Sequence, residues 1–424
     1  MVDMSLALSL MAALLLADGG TDGPDAGEIA ARAAASAVAG DSGSENSDLA
    51  AGAYDAVVRD LLLRIEAIEK EHGHVARELE APLFELGKLY VSADQCKNAI
   101  PILRQAILLS QRLDGVMNAR QLRVYEPLSE CYAALDMVRD LGRAQEQMLL
   151  VRENMYGKDD VRMLPALAHA GEWYEQVGDY EAARDVYLRA MKIARKPGGD
   201  EDIRLVLPLR AMARTYRLEM QYEQEALRGR AVDAQGERTL ERAARIVRAH
   251  AEKDARSLTR ISATSGISTA SAIGAAATRA DSDTSLRIDT LLELADWYQM
   301  AGAVRDAVKV YKEAWQTAVD SGRSGAELLG EPQPILYRAA VGVALRRPPA
   351  DHEKMKHYTI DFEFTVSRFG EVSDVVATST GAPRDLQLGI AENLKRTHYR
   401  PRFVDGEAVD TSGVRIRQGV WVSN

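Results

Sequence analysis

The sequence predicts a mainly α protein, a solenoid of helical hairpins, followed by a small α+β module of strand, strand, helix and strand. Three observations carry this reading. Tyr90, Tyr132, Tyr174 and Tyr216 stand 42 residues apart, and Tyr298 follows 82 residues later, near two further periods. Self-similarity at roughly 20–50 residues marks a stack of like structural units rather than one enzyme core. Small residues and aromatics recur around each tyrosine at helical spacing, and beyond Arg346-Arg347-Pro348-Pro349-Ala350 the apolar period switches to two.

Size and charge bound the rest. The chain has 424 residues, room for two or three domains, and a formal net charge of −10. That balance disfavours generic attraction to nucleic acid or anionic lipid. Residues 352–424 hold ten Lys/Arg and ten Asp/Glu, so the surplus acid lies upstream. Such a surface keeps a solenoid soluble and could select basic partners. Cys96 and Cys131 are the two cysteines, too few for a disulfide framework or a Cys-based zinc site. Two free, half-buried thiols are expected, although adjacent repeats leave a bridge geometrically open in an oxidising compartment.

Residues 1–17 carry the apolar run Ser5–Ala17, 13 residues long. A comfortable membrane span needs about 20. The run reads as a signal peptide or a short anchor, against which stands the lack of Lys or Arg in Met1–Met4. No cysteine follows it, which excludes a lipoprotein. Membrane contact is expected only if this segment stays uncleaved. Residues 18–50, rich in Gly, Ala, Ser and Asp, read as a flexible leader with at most one short helix near Ile29–Val38.

Helical repeats are expected over 54–345. Val57, Leu61, Leu62, Ile65 and Ile68 trace the first apolar stripe. The third copy is the clearest. Leu167, Ala170, Gly171 and Tyr174 share one helix face, Gly178-Asp179-Tyr180 turns the chain, and Ala183, Tyr187 and Ala190 face back from a second helix. Gly171 and Ala183 let two helices approach, and the ruler tyrosines fill the hole between pairs. Leu83, Leu86, Gly87, Tyr90, Ala99 and Ala106 match in the first copy. Leu291, Leu294, Ala295, Tyr298, Gly302, Ala307, Tyr311 and Ala314 match in the last. Pro82, Pro127, Pro165 and Pro208 are expected in the first turn of each leading helix, where a missing N–H costs nothing. The second copy's second helix reads as shifted by about three residues around Ala144. In the fourth copy Glu237–Arg256 reads as a long charged helix, and 261–285, almost all Ser, Thr, Ala, Gly and Ile, as a low-complexity loop.

This pattern resembles the tetratricopeptide repeat, in the longer variety of kinesin light chains. The resemblance implies a protein-binding concave face. Its lining would include Phe84, Lys88 and Val91 in the first copy, Ala168, Glu172 and Glu175 in the third, and Leu292, Asp296 and Gln299 in the last. That groove is mixed and acidic.

Residues 346–357 read as a linker and 358–424 as the α+β module. Tyr358, Ile360, Phe362, Phe364 and Val366 alternate with polar residues as a half-buried strand, and Phe369-Gly370 turns the chain. Val372, Val375 and Val376 form a second strand, Leu386–Leu394 a helix, Asp405-Gly406 a turn, and Val414, Ile416, Val420 and Val422 a closing strand. The stretch Phe364-x-Val366-x4-Glu371-Val372, the helix end Ala391–Arg396, and Tyr399-Arg400-Pro401-Arg402-Phe403 before Asp405-Gly406-Glu407 resemble the TonB C-terminal domain. That resemblance implies capture of an extended peptide, as from an outer-membrane receptor, added as a strand at the Val414–Val422 edge. Val414, Ile416, Val420 and Val422 are the candidate edge residues.

No catalytic chemistry emerges. Phosphate-loop, His-Glu-x-x-His and Gly-x-Ser-x-Gly motifs are absent. His72 and His74 form the one histidine cluster and read as a solvated turn; His352, His357 and His398 suggest only linker or packing positions. No cofactor or metal is expected. The resulting expectation is a non-enzymatic periplasmic scaffold with protein or peptide partners and room for self-association. The alternative is an energy transducer that couples inner-membrane energy to outer-membrane transport.

Overall fold

The computed structural model describes residues 44–222, 229–264, 270–336, 355–378 and 381–423. The apolar run of 1–17, the helix expected near Ile29–Val38 and most of the 346–357 linker lie outside them. Among the described residues no helix is long and apolar enough to cross a membrane. The chain divides into two compact units, residues 1–166 and 167–424.

The helices are α1 (Ser44–His72), α2 (Glu80–Ser92), α3 (Cys96–Asp114), α4 (Leu122–Ala134), α5 (Val138–Tyr156), α6 (Leu164–Gln176), α7 (Tyr180–Gly198) and α8 (Val206–Tyr222). The leader expected to reach residue 50 thus gives way to helix at Ser44. From α2 onward the 42-residue period is strict. Leading helices start at 80, 122, 164 and 206, and second helices at 96, 138 and 180. Leading helices α2, α4 and α6 have 13 residues each. Second helices α3, α5 and α7 have 19 each. So α5 is not shifted: it keeps register, with Leu141 buried where α3 has Ala99, and Ala144 is one further buried residue.

Two backbone devices keep time. Gly73, Gly115, Gly157 and Gly199 end one hairpin and begin the next, at φ of 81, 88, 87 and 75°. That left-handed region is what ends a helix with glycine. Within each pair the turn residue, Asp94, Asp136, Gly178 or Gly302, also has positive φ. Asn118, Asp160 and Asp202 then cap the following turns, accepting from the N–H of Gln121, Arg162 and Arg204. Pro82 and Pro165 sit where expected, but Pro127 is the sixth residue of α4, inside the helix, where it removes one backbone hydrogen bond.

In the first unit Leu83, Leu86, Leu103, Leu128 and Val151 form buried rows. Gly87 lets α2 meet α3, since a Cβ there would collide with Leu103. Cys96 and Cys131 form a disulfide, with Cα atoms 5.0 Å apart. This corrects the expectation of free thiols. The first residue of α3 meets the last turn of α4, so the packing of neighbouring hairpins itself sets the two Cβ atoms face to face.

The ruler tyrosines mark one position in every leading helix, but Tyr132 alone among the four is buried; Tyr90, Tyr174 and Tyr216 are half-buried. In the second unit Tyr187 and Tyr311, on second helices, fill the inter-helix holes instead. A Cβ on Gly171 would strike the Tyr187 ring.

Beyond α8 the copies lengthen. Helix α9 (Gly229–Thr264) has 36 residues and α10 (Ala270–Met300) has 31. The loop expected over 261–285 is therefore mostly helix. Its alanines are the strongest helix formers and need no burial to adopt it. Helix α11 (Val304–Asp320) pairs with α10, and a short α12 (Gly325–Leu329) follows it; the end of the repeats expected at residue 345 lies outside the described residues.

The tail starts earlier than expected. Strand β1 (Gln333–Leu336) pairs antiparallel with β4 (His398–Arg400). Strand β2 (Met355–Val366) is central in a sheet of order β3-β2-β7, with β3 (Val372–Ala377) and β7 (Thr411–Ser423) both antiparallel to it. Met355–His357, expected as linker, are strand. Helix α13 (Arg384–Lys395) lays Ile390 and Leu394 on Ile360, Phe362, Phe364 and Val366. Strands β5 (Arg402–Val404) and β6 (Glu407–Val409) form a hairpin turned by Asp405 and Gly406, both at positive φ. This short pair was not anticipated from the sequence.

Candidate functional site

The candidate groove residues meet three different fates. In the first unit Phe84 and Val91 are half-buried and Lys88 is exposed. Lys88 Nζ lies 5.7 Å from the Phe84 ring centre, and the Arg123 guanidinium approaches the same ring to 5.0 Å. The surrounding protein, then the charge of Glu126, push Glu130 above the usual carboxylate range, with Lys88 opposing. Arg123, Glu126 and Glu130 were missed. The signal was present: Glu126 and Glu130 are Phe84 and Lys88 advanced by one period.

In the third copy Glu172 is exposed, beside His169 at 3.8 Å. Glu175 is committed inward. It accepts from the Tyr187 hydroxyl at 2.9 Å and from Arg214 Nε at 2.7 Å. Burial, then the charge of Glu175, hold the Tyr187 hydroxyl far above its usual range. Burial works against the charge on Arg214, but the bond to Glu175 outweighs it and its pKa rises.

In the last copy the groove is closed. Leu292, Asp296 and Gln299 are buried, at 6, 3 and 0% exposure, which corrects their assignment to an open face. The tail fills the space. Arg400 of β4 grips Asp296 with two bonds of 2.7 Å, Nε to Oδ1 and Nη2 to Oδ2. The Tyr311 hydroxyl donates to the same Oδ1 at 2.7 Å, and Gln299 Nε2 donates to the Phe369 carbonyl. Phe403 of β5 enters the helical core, edge-on to Tyr311 at 6.4 Å, and Gly406 lies against Trp315. Burial drives the Tyr311 pKa well up, helped by the Asp296 charge. Burial also opposes the Arg400 charge, yet Asp296 more than compensates and raises it.

Val414, Ile416, Val420 and Val422 all lie on β7, which hydrogen-bonds β2 on one side and no second strand among the described residues. Their side chains belong to the tail's own apolar core. The opposite face shows Arg415 and Arg417, paired with Glu363 at 2.9 Å and Asp361 at 2.7 Å.

His72 and His74 do not converge; each lies by a separate carboxylate, Glu71 and Glu69. His398 is in β4, and His357 packs tilted against Trp421, with ring centres 4.6 Å apart. His352 is outside the described residues. One group that the sequence did not suggest, His250, Asp254 and Asp283, brings an imidazole and two carboxylates within 4.8 Å of one another. A spacing of 33 residues between its first and last members hides it from motif reading.

The tetratricopeptide repeat pattern matches residues 166–201. Those residues cover α6 and α7 with the Gly171–Tyr187 contact. Tetratricopeptide repeats commonly mediate protein–protein contacts, and the match over this one hairpin suggests an interaction scaffold. No curated relative matches the chain by sequence. Among solved structures, the kinesin light chain TPR-like repeats of Podosopora anserina are similar at 16% identity, covering 57% of this chain and 97% of theirs, with a TM-score of 0.38. BtubC (BKLC) from P. vanneervenii is similar at 13% identity, covering 69% of this chain and 98% of its own, with a TM-score of 0.39.

Proposed function

We propose that this chain is a non-enzymatic scaffold of the bacterial envelope, exported to the periplasm. Its helical hairpins hold one protein partner, and its tail, a TonB-like module, holds an extended segment of another at the β7 edge. The observation that carries the reading is the 13-residue edge strand β7, paired only with β2 among the described residues. An edge of that length is a template for one more strand, with affinity from main-chain hydrogen bonds. The order of strand, strand, helix and strand supports the TonB-like assignment. The Cys96–Cys131 bond supports an oxidising compartment. On the helical side, the ring of Phe84 under Lys88 and Arg123, beside Glu126 and Glu130, supplies an open face of mixed charge.

Site-specific photocrosslinking in cells tests this. A probe at exposed Arg417 of β7 should give a discrete adduct, and one at exposed Val376 of β3 should not. Equal labelling from both edges, or none, defeats the strand-addition reading. An adduct with an outer-membrane transporter would favour the energy-transducing variant of the same module. For location, Cys96 and Cys131 should resist alkylation until the cells are treated with reductant; free thiols in vivo would place the protein elsewhere.

A further inference from the structure

A cleft of about 440 Å³ opens in the second unit where the end of α7 meets α9. Its floor includes Ile246, 3% exposed, and its walls carry Arg195, Arg242 and Arg245 against Asp200 and Glu201. The volume is that of a small-ligand site. The charges are not evenly satisfied. Asp200 sits between two guanidiniums, its Oδ1 2.7 Å from Arg195 Nε and 3.2 Å from Arg242 Nη2. Glu201 is held by Lys253 at 2.9 Å. Arg245 has no ion-pair or hydrogen-bond partner among the described residues.

We propose that this cleft binds one carboxylate attached to an apolar body, with Arg245 as the anchoring cation and Ile246 under the apolar part. Arg195 and Arg242 share Asp200, and Lys253 holds Glu201, so Arg245 is the one guanidinium of the lining without a carboxylate, which matches a monoanion. A phosphate dianion would bring its second charge up to Asp200 and Glu201. The guanidinium fork suits a carboxylate, which it can grip with two parallel bonds. Asp200, 74% exposed, is the internal competitor: it already occupies Arg195 and Arg242 with the same chemistry. The carboxylate could come from a glutamate side chain of a protein segment or from a free aliphatic acid, and the experiment separates the two.

The test is calorimetric titration of the full chain with four probes: acetyl-Leu-Glu-Leu-amide, its glutamine counterpart, hexanoate and inorganic phosphate. The glutamate peptide or hexanoate should bind, and whichever is tighter names the source. Arg245→Gln should weaken that binding about tenfold, the worth of one charge-assisted bond. Asp200→Asn should tighten it about threefold by freeing two guanidiniums from one exposed ion pair. Arg245 is exposed, so an unchanged melting curve would show that its variant is folded. Equal binding of the glutamine peptide, tighter binding of phosphate, no effect of Arg245→Gln, or no binding by any probe would each overturn the proposal.

Discussion

Arg400 holds Asp296 across 104 residues of sequence; Asp296 and Tyr311, whose hydroxyl shares the same carboxylate, are buried, and the Arg400 side chain is 22% exposed. An earlier hairpin shows the same construction. There Glu175 receives Tyr187 from its own pair and Arg214 from the next leading helix. After the last pair only the short α12 precedes the strands among the described residues, and a strand residue supplies the arginine. The tail therefore ends the helical array by imitating the contact that one more repeat would make.

Asp296→Ala should accordingly destabilise the second unit by about 2–4 kcal/mol, because it leaves the half-buried Arg400 charge without its carboxylate and the buried Tyr311 hydroxyl without its acceptor. The double variant Asp296→Leu with Arg400→Met should recover most of that loss, since well-packed apolar residues can replace a buried ion pair. Urea unfolding of the three proteins checks both statements. A single variant as stable as the parent would mean that β4 does not dock on α10.

The tyrosines divide into two classes with different stakes. Tyr187 is 1% exposed, with its ring against Gly171, whereas Tyr174 is half-buried. Tyr187→Ala should cost about 3–5 kcal/mol, as for other emptied aromatic sites, and Tyr174→Ala distinctly less. Thermal melts of both variants rank them. The reverse order would return the packing role to the ruler position.

Alkaline pH should weaken the fold through the same rings. Burial first, then the hydrogen bond to Glu241, push Tyr298 up to about 12 from its ordinary 10.0. A group whose pKa is raised in the folded state contributes stability that is whole below the unfolded value and is lost as pH climbs through the folded one. The window is therefore pH 10 to 12, with Tyr187 and Tyr311 titrating higher still. Denaturation midpoints measured at pH 9, 10, 11 and 12 should fall across it. Tyr298→Phe should make that fall shallower; an identical slope would remove Tyr298 from the account.

How much was legible follows from how each feature is written in the chain. The hairpins were readable because Gly87, Gly171, Tyr187 and their neighbours repeat a local packing rule at fixed offsets. The tail strand 358–366 was readable because its period is two. The stretch 261–285 was misread as loop from its ten Ser and Thr; six of its seven alanines fall within 270–280, and these are the residues that favour the helix found there. The disulfide was half legible, since adjacent repeats left a bridge open without requiring it; the closed groove at Asp296 was not, because its partner Arg400 comes from 104 residues away. No local pattern near Asp296 announces Arg400. The glycine ruler was legible and overlooked: Gly73, Gly115, Gly157 and Gly199 repeat as strictly as the tyrosines.

That second ruler makes a prediction that separates backbone from packing. Gly157 ends α5 at φ 87°, and nothing lies within 4 Å of where its Cβ would be. Gly157→Ala should therefore cost about 1–3 kcal/mol, all of it the strain of an L-residue at positive φ with an extended ψ of 152°, a region kept for glycine. Gly171 is different: it sits in a helix, where alanine is favoured locally, yet its Cβ would enter the Tyr187 ring. Gly171→Ala should lose about 1–3 kcal/mol through overpacking. The double variant Gly171→Ala with Tyr187→Phe should not relieve that loss, because the clash involves the ring as well as the hydroxyl. The single variant Gly157→Ala should be insensitive to what surrounds it, so Gly115→Ala should cost nearly the same. Chemical denaturation of the four proteins reads these differences, and a harmless Gly157→Ala would show that the hairpin junctions do not depend on left-handed glycine.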